Sequence, residues 1–295
     1  MIILTIATPA DFDFRRTVLS HGWYQLAPNT YDDTTQTLKR PFLLDSGKTV
    51  HLSIEDGKSN LLTITVYDVA IISSRDRNNI LRGIERMFSL KQRLTKFYET
   101  MSKTEGYEWV AEHRTARLLA SPTIWEDLVK TLLTTNTSWS NTQKMVAQIC
   151  SLDAQGIFPS PADIVALMPD DFADKAGIGY RAPYLYEASQ RIASGEIDLK
   201  QWQTLDSDSL YKAITDLTGF GDYAAGTLMR LMGHFDKLAI DTVARKAYEH
   251  VTGHAPDSDT DIRRYYDDFG KWRGLVLWMD CIRDDVDIAP QPIAE

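Results

Sequence analysis

Apolar positions follow two different periods along this chain. Up to about residue 75 they alternate or gather in short β-branched runs, at 2–6, 38–44, 49–53 and 61–66. Alternation sends every second side chain to one face, so these runs predict strands with one buried side. Pro28-Asn29, Asp45-Ser46-Gly47 and Asp56-Gly57 punctuate them, and such residues favour reversals. The connections are short, which predicts an antiparallel sheet. A short helix with an acidic first turn is predicted over 12–19.

Beyond Ser73 the period becomes 3.6 and stays there. Ile80, Ile84, Met87 and Phe88 share a helical face, as do Trp125, Leu128, Val129 and Leu132. Further stripes run through Thr142–Ile149, Leu185–Ile192, Leu210–Leu217, Ala225–Met232 and Ala244–Val251. Two more carry Ile262, Tyr265 and Tyr266, then Trp272, Leu275, Met279 and Ile282. Ser121-Pro122 and Ser160-Pro161 read as N-caps followed by proline at the first helical position. The predicted fold is α+β: a β domain at 1–76, a helical segment at 77–118 packing with the C-terminal helices, a helical domain at 119–244, and C-terminal helices at 245–295. The tail 289–295 is expected to fray.

The chain has 295 residues, 43% of them hydrophobic and 25% charged, enough to bury a core without metal or disulfide staples. No apolar run approaches the ~18 residues of a membrane span. The N-terminal apolar stretch lacks a preceding basic region, so no secretory signal is expected. Two cysteines, Cys150 and Cys281, exclude a four-cysteine metal cluster and fit a reduced, intracellular setting. Both fall in apolar helical patterns and read as unreactive. A net charge of −9 argues against a broad cationic surface for nucleic acid, but not against a local one.

Chemistry concentrates between Leu210 and Arg245. Two amphipathic helices are joined by Leu217-Thr218-Gly219-Phe220-Gly221. Glycines at alternate positions permit a tight reversal and leave backbone N–H groups uncovered at the start of a helix, where an anion is favoured. Such a turn either docks a phosphate or is simply a tight connection. Asp241 follows the apolar run Leu238-Ala239-Ile240 and precedes a new helix. It reads as an N-cap or as a carboxylate returned towards the hairpin.

Gly219-Phe220-Gly221, Ala224 and Asp241 resemble the hairpin loop and later aspartate of the helix–hairpin–helix DNA glycosylases. Gly177-Ile178-Gly179-Tyr180-Arg181-Ala182 and Leu132-Leu133-Thr134-Thr135-Asn136 resemble segments of the 8-oxoguanine glycosylases. The layout of sheet followed by helices is similar to 3-methyladenine glycosylase II. The resemblance implies an α+β chain with a mostly helical glycosylase core that flips a damaged base from duplex DNA and hydrolyses its N-glycosidic bond. Asp241 is then the catalytic carboxylate that stabilises charge at C1′ and orients water.

The same resemblance implies that Gly219 and Gly221 grip phosphate, and that carbonyls of Thr215, Leu217 and Phe220 hold a monovalent cation; no other cofactor is required. Asn136 fills the gap left by the base, unless it is an ordinary helix-end residue. Tyr180 wedges against the opposite strand or is a plain core or surface tyrosine, and Arg181 meets phosphate or the orphaned base or is merely a solvated loop arginine. Tyr223, Thr227 and Trp139 line the base pocket, with Trp139 equally readable as core. The loop His21-Gly22-Trp23 lies near that pocket, whereas Trp272 and Trp278 read as core. Tyr223 stands where strand-cleaving members carry a lysine nucleophile, and a phenol forms no imine, so a monofunctional enzyme is expected. Alkylated purines are the favoured substrate, because a cationic ring suits aromatic walls. 8-Oxoguanine is the alternative, and a non-catalytic damage-binding module the alternative of another class. The partner is duplex DNA with a damaged base, met by a monomer in the cytoplasm, nucleoid or nucleus, away from membranes.

Overall fold

The computed structural model describes residues 1–283. The tail at 289–295 lies outside them. Five strands, β1 (Ile2–Ala7), β2 (Thr30–Asp32), β3 (Thr37–Leu43), β4 (Thr49–Asp56) and β5 (Leu61–Val66), form one antiparallel sheet in the order β1-β5-β4-β3-β2. Ile54 stands opposite Leu38 and Ile64, and Leu52 opposite Arg40 and Val66, so one face carries the core. Arg40 lies on that buried face. The strand β2 escapes prediction because three residues show no period. It pairs only as far as Lys39, so Pro41 costs the sheet no ladder bond on that side. The helix expected over 12–19 is α1 (Phe14–Val18), shortened because Asp13 caps it by accepting from the Arg16 N–H.

Next come α2 (Ser74–Met87), α3 (Thr95–Met101) and α4 (Glu108–Glu112). The region 95–118 packs on the end of the chain. Phe97 meets Trp272, Tyr107 meets Phe269, and the Tyr107 hydroxyl donates to Asp280 at 2.7 Å. At the centre is α5 (Ile124–Leu133), all ten residues of which are buried. Its start corrects the sequence reading. Thr123, not Ser121, is the N-cap and accepts from the Glu126 N–H, while Ser121 is buried and donates its own N–H to Asp127. Proline at 122 therefore precedes the cap. At Ser160-Pro161 the reading holds, with a capping box closed by Asp163.

The remaining helices are α6 (Trp139–Cys150), α7 (Pro161–Val165), α8 (Pro169–Ala176), α9 (Ala182–Ala193), α10 (Leu199–Trp202), α11 (Ser207–Thr215), α12 (Asp222–Leu231), α13 (Thr242–Thr252), α14 (Asp259–Asp267) and α15 (Arg273–Ile282). The fold is thus α+β, with the sheet first and helices after it.

Sheet and helices are latched through α5. Arg40 grips Glu126 with both guanidinium nitrogens (3.2 and 2.8 Å), and Lys130 reaches the same carboxylate at 2.7 Å. Burial alone would raise Glu126, but the two cations overcome it and hold the carboxyl at about 2. At the next position, Asp127 accepts from the Trp23 indole at 2.7 Å and from Arg86 at 2.6 Å. These bonds fix the loop after α1 against the central helix. Burial pushes the thiols of Cys150 and Cys281 up to about 12, so neither is a thiolate at neutral pH. Among the described residues no helix is long and apolar enough to cross a membrane.

Candidate active site

The hairpin joins α11 to α12. Gly219 adopts φ +88°, and a Cβ there would approach the Tyr184 ring to 2.6 Å, so both conformation and space call for glycine. Leu217 and Phe220 are buried beneath the turn and anchor it. Gly221 is the N-cap of α12 and brings no capping side chain. The N–H groups of Gly219 and Gly221 make no hydrogen bond among the described residues. They and the first turn of α12 are open to an anion. The Leu217 carbonyl accepts from the Phe220 N–H at 3.1 Å, while those of Thr215 and Phe220 accept nothing among the described residues. Two carbonyls and the second lone pair of Leu217 are thus left without a protein partner among the described residues.

Asp241 does two things at once. Its Oδ1 accepts from the Ala244 N–H at 2.9 Å, capping α13, and its Oδ2 makes no hydrogen bond among the described residues. The capping bond fixes the carboxylate and leaves one oxygen for other work. The segment leading to Asp241 is held from both sides by glycines. A Cβ on Gly226, in the middle of α12, would lie 2.9 Å from the Leu238 backbone. Gly274, opening α15, lies as closely against the Lys237 carbonyl and donates its N–H to the Phe235 carbonyl at 2.7 Å.

One face of α12 looks towards Asp241. Tyr223, Thr227 and Arg230 follow at i, i+4 and i+7. Burial raises the Tyr223 phenol above its ordinary value and the charge of Asp241 adds to that, while a hydrogen bond of the hydroxyl to Thr134 Oγ1 (3.4 Å) partly offsets them. The Thr227 hydroxyl is buried without a hydrogen-bond partner. Arg230 is 6% exposed and lies 4.4 Å from the centre of the Trp278 ring. His21 packs near the same tryptophan. Burial pushes its imidazole down to about 4, and its Nε2 lies 2.5 Å from the Leu119 carbonyl. A carbonyl only accepts, so the proton is on Nε2 and Nδ1 is an acceptor.

The turn after α5 links this group to the surface. Thr134 meets Tyr223, and Asn136 follows, exposed and left-handed at φ +46°, a conformation asparagine tolerates. Arg181 corrects an expectation. It is 5% exposed and donates to the carbonyls of Thr135 and Asn136, so it braces the Asn136 turn from within. Tyr180 is 52% exposed and stacks on that guanidinium at 4.5 Å. Trp139 is 38% exposed; its indole donates to Gln25 at 2.6 Å and its ring covers Gly22, which places it at the seam beside His21. Trp272 and Trp278 both pack against the core as expected, Trp272 on Phe97 and Phe235, while Trp278 also carries Arg230 over its ring. The sequence reading missed Arg230, Gly226 and Gly274. Arg230 had a signal: a lone charge inside Leu228-Met229-Arg230-Leu231-Met232, in step with Tyr223.

The fold is similar to that of solved DNA glycosylases. A 3-methyladenine DNA glycosylase from Archaeoglobus fulgidus superposes with a TM-score of 0.75 at 16% identity, over 96% of this chain and 98% of that one. The 8-oxoguanine glycosylase/lyase of Clostridium acetobutylicum gives 0.70 at 18% identity, over 95% of each. In sequence, the chain is 24% identical over 228 residues to a probable N-glycosylase/DNA lyase of Methanothermobacter thermautotrophicus, covering 66% of this chain and 72% of that protein. No family model matches the sequence.

Proposed function

We propose that this protein is a base-excision DNA glycosylase that hydrolyses the bond between a damaged purine and C1′ without cutting the strand. The observation that carries this reading is Asp241: a carboxylate pinned by its own helix, with one oxygen free, on a backbone clamped by Gly226 and Gly274 beside an amide-lined hairpin. The names of its structural neighbours, which act on 8-oxoguanine or 3-methyladenine, support the same class.

In this mechanism a DNA phosphate docks on the Gly219 and Gly221 amides, aided by the α12 dipole. Carbonyls of Thr215, Leu217 and Phe220 would hold a monovalent cation, which would supply extra positive charge beside that phosphate. Asn136, at its left-handed tip, occupies the gap in the stack, and exposed Tyr180 flanks it. The base enters past Tyr223. Asp241 Oδ2 stabilises positive charge growing on the sugar and orients the attacking water. The absence of strand cleavage is supported by the amines. Position 223 is a phenol. The hydrogen bond to Asp208 at 2.6 Å holds the Lys237 ammonium above its ordinary range, against partial burial, and the Met1 amino group donates to the Val69 carbonyl just after β5.

Asp241→Asn tests the reading. The amide still caps α13, so folding and affinity for abasic-site duplex should stay within a few fold. Single-turnover excision on a panel of damaged-base duplexes should fall by about 10²–10⁴-fold. Unchanged turnover would sink the assignment. The alkylated-purine preference rests on Tyr223 as an aromatic wall; Arg230 bears on the choice of lesion from the opposite direction.

A further inference from the structure

Among the described residues, Arg230 is the buried charged side chain with neither a hydrogen bond nor an ion pair. Its contact is the face of Trp278. Asp241 and Tyr223 stand close enough to feel its charge, yet no ion pair within 4.0 Å joins it to Asp241. A guanidinium keeps its proton in proteins, so the charge is permanent. None of its nitrogens is among the fully buried, unpartnered atoms, so the head group of this largely buried side chain keeps an open side on which a polar ligand can pair with it. Beside it Thr227 offers a hydroxyl with no partner, and His21 offers a bare ring nitrogen. Arg230 and His21 thus meet at the Trp278 ring, with Thr227 one turn before Arg230 on the same helix and Tyr223 and Asp241 close by.

We propose that the Arg230 guanidinium contacts the flipped base and takes up the negative charge the base gains as its bond to C1′ breaks. The inference rests on the glycosylase reading and narrows its substrate. The glycosidic bond breaks with its electron pair going to the base. Water forms the new bond to C1′ and passes its proton to Asp241, which returns it to solvent; the base anion takes a proton from solvent. A neutral purine leaves as an anion and needs such a cation. An alkylated, cationic purine leaves neutral, gains nothing from Arg230 and is repelled by it. The favoured lesion is therefore a neutral purine with an exocyclic carbonyl oxygen that accepts from Arg230.

Single-turnover excision by wild type, Arg230→Met and Arg230→Lys, on duplexes carrying 8-oxoguanine, hypoxanthine or 7-methylguanine, tests this. Wild type should remove at least one neutral base faster than cationic 7-methylguanine. Arg230→Met should lose about 100-fold on that neutral base and keep or gain rate on 7-methylguanine. Arg230→Lys, which retains the charge, should lose less. Arg230→Met should melt no lower than wild type, because methionine fills the space without a buried charge. Equal losses on both kinds of base, faster wild-type removal of 7-methylguanine, or a marked fall in melting temperature would overturn the proposal while leaving the glycosylase reading intact. No excision of any lesion by wild type would overturn both.

Discussion

Tyr223 shows how one side chain sets the outcome of a reaction. A lysine amine at this place would attack C1′ and leave an imine; the phenol does neither, and burial together with Asp241 makes it still harder to ionise. The wild-type enzyme, incubated with its lesion duplex and borohydride, should give no covalent adduct, and strand breaks should appear only after alkali or heat. A strong trapped band would show that another amine serves as nucleophile. Asp241 makes the complementary point. Its capping bond to Ala244 and its proposed catalytic role use different oxygens, so the two readings of this aspartate are compatible.

At the scale of elements, the site is a question of how closely α12 approaches the chain that carries Asp241. Gly226 permits that approach, since a Cβ would lie 2.9 Å from the Leu238 backbone, and backbone cannot swing aside as a flexible side chain does. Gly226→Ala should therefore be doubly informative. Helix propensity alone would favour alanine by about 1 kcal/mol. The clash should outweigh it, for a net loss of about 1–3 kcal/mol in urea denaturation. Excision should fall by about 10²-fold, because moving a catalytic group by roughly 1 Å is that expensive. A more stable, fully active variant would show that the clamp is not what positions Asp241.

For the molecule as a whole, the latch between sheet and helices predicts an acid-sensitive fold. Burial puts the folded His21 near 4 against an ordinary 6.5, so between those values the unfolded chain binds the extra proton and stability falls as pH drops. The loss is on the order of 3 kcal/mol. Burial also lowers His113, which adds in the same direction. Glu126, held at about 2 by Arg40 and Lys130, contributes stability present above 4.5 and lost as pH falls through 2. Urea midpoints should therefore decline from about pH 6.5 downward in two stages. His21→Gln keeps a donor for the Leu119 carbonyl without titrating, and it should flatten the decline between pH 6.5 and 4. An unchanged profile in that variant would place the acid-sensitive group elsewhere.

The sequence by itself determined the alternation of the sheet, the 3.6 period of the helices, the hairpin glycines and the place of Asp241 between an apolar run and a helix. These are local properties, set by backbone geometry within a few residues. It could not show β2, whose three residues carry no period, nor that Thr123 rather than Ser121 caps α5, since both have the right hydroxyl and only the path of the chain chooses. The roles of Arg181 and Trp278 were decided later still. Each reads alike in sequence whether it faces solvent, core or site, and its partners, Thr135 in one case and Arg230 in the other, lie 46 and 48 positions away. Arg230 itself could be noticed as a charge in an apolar stripe, but that it stands unpaired beside Asp241 depends on α12, α15 and the His21 loop meeting in space. Contacts between distant segments are fixed by packing the whole core at once, so tertiary structure alone decides them.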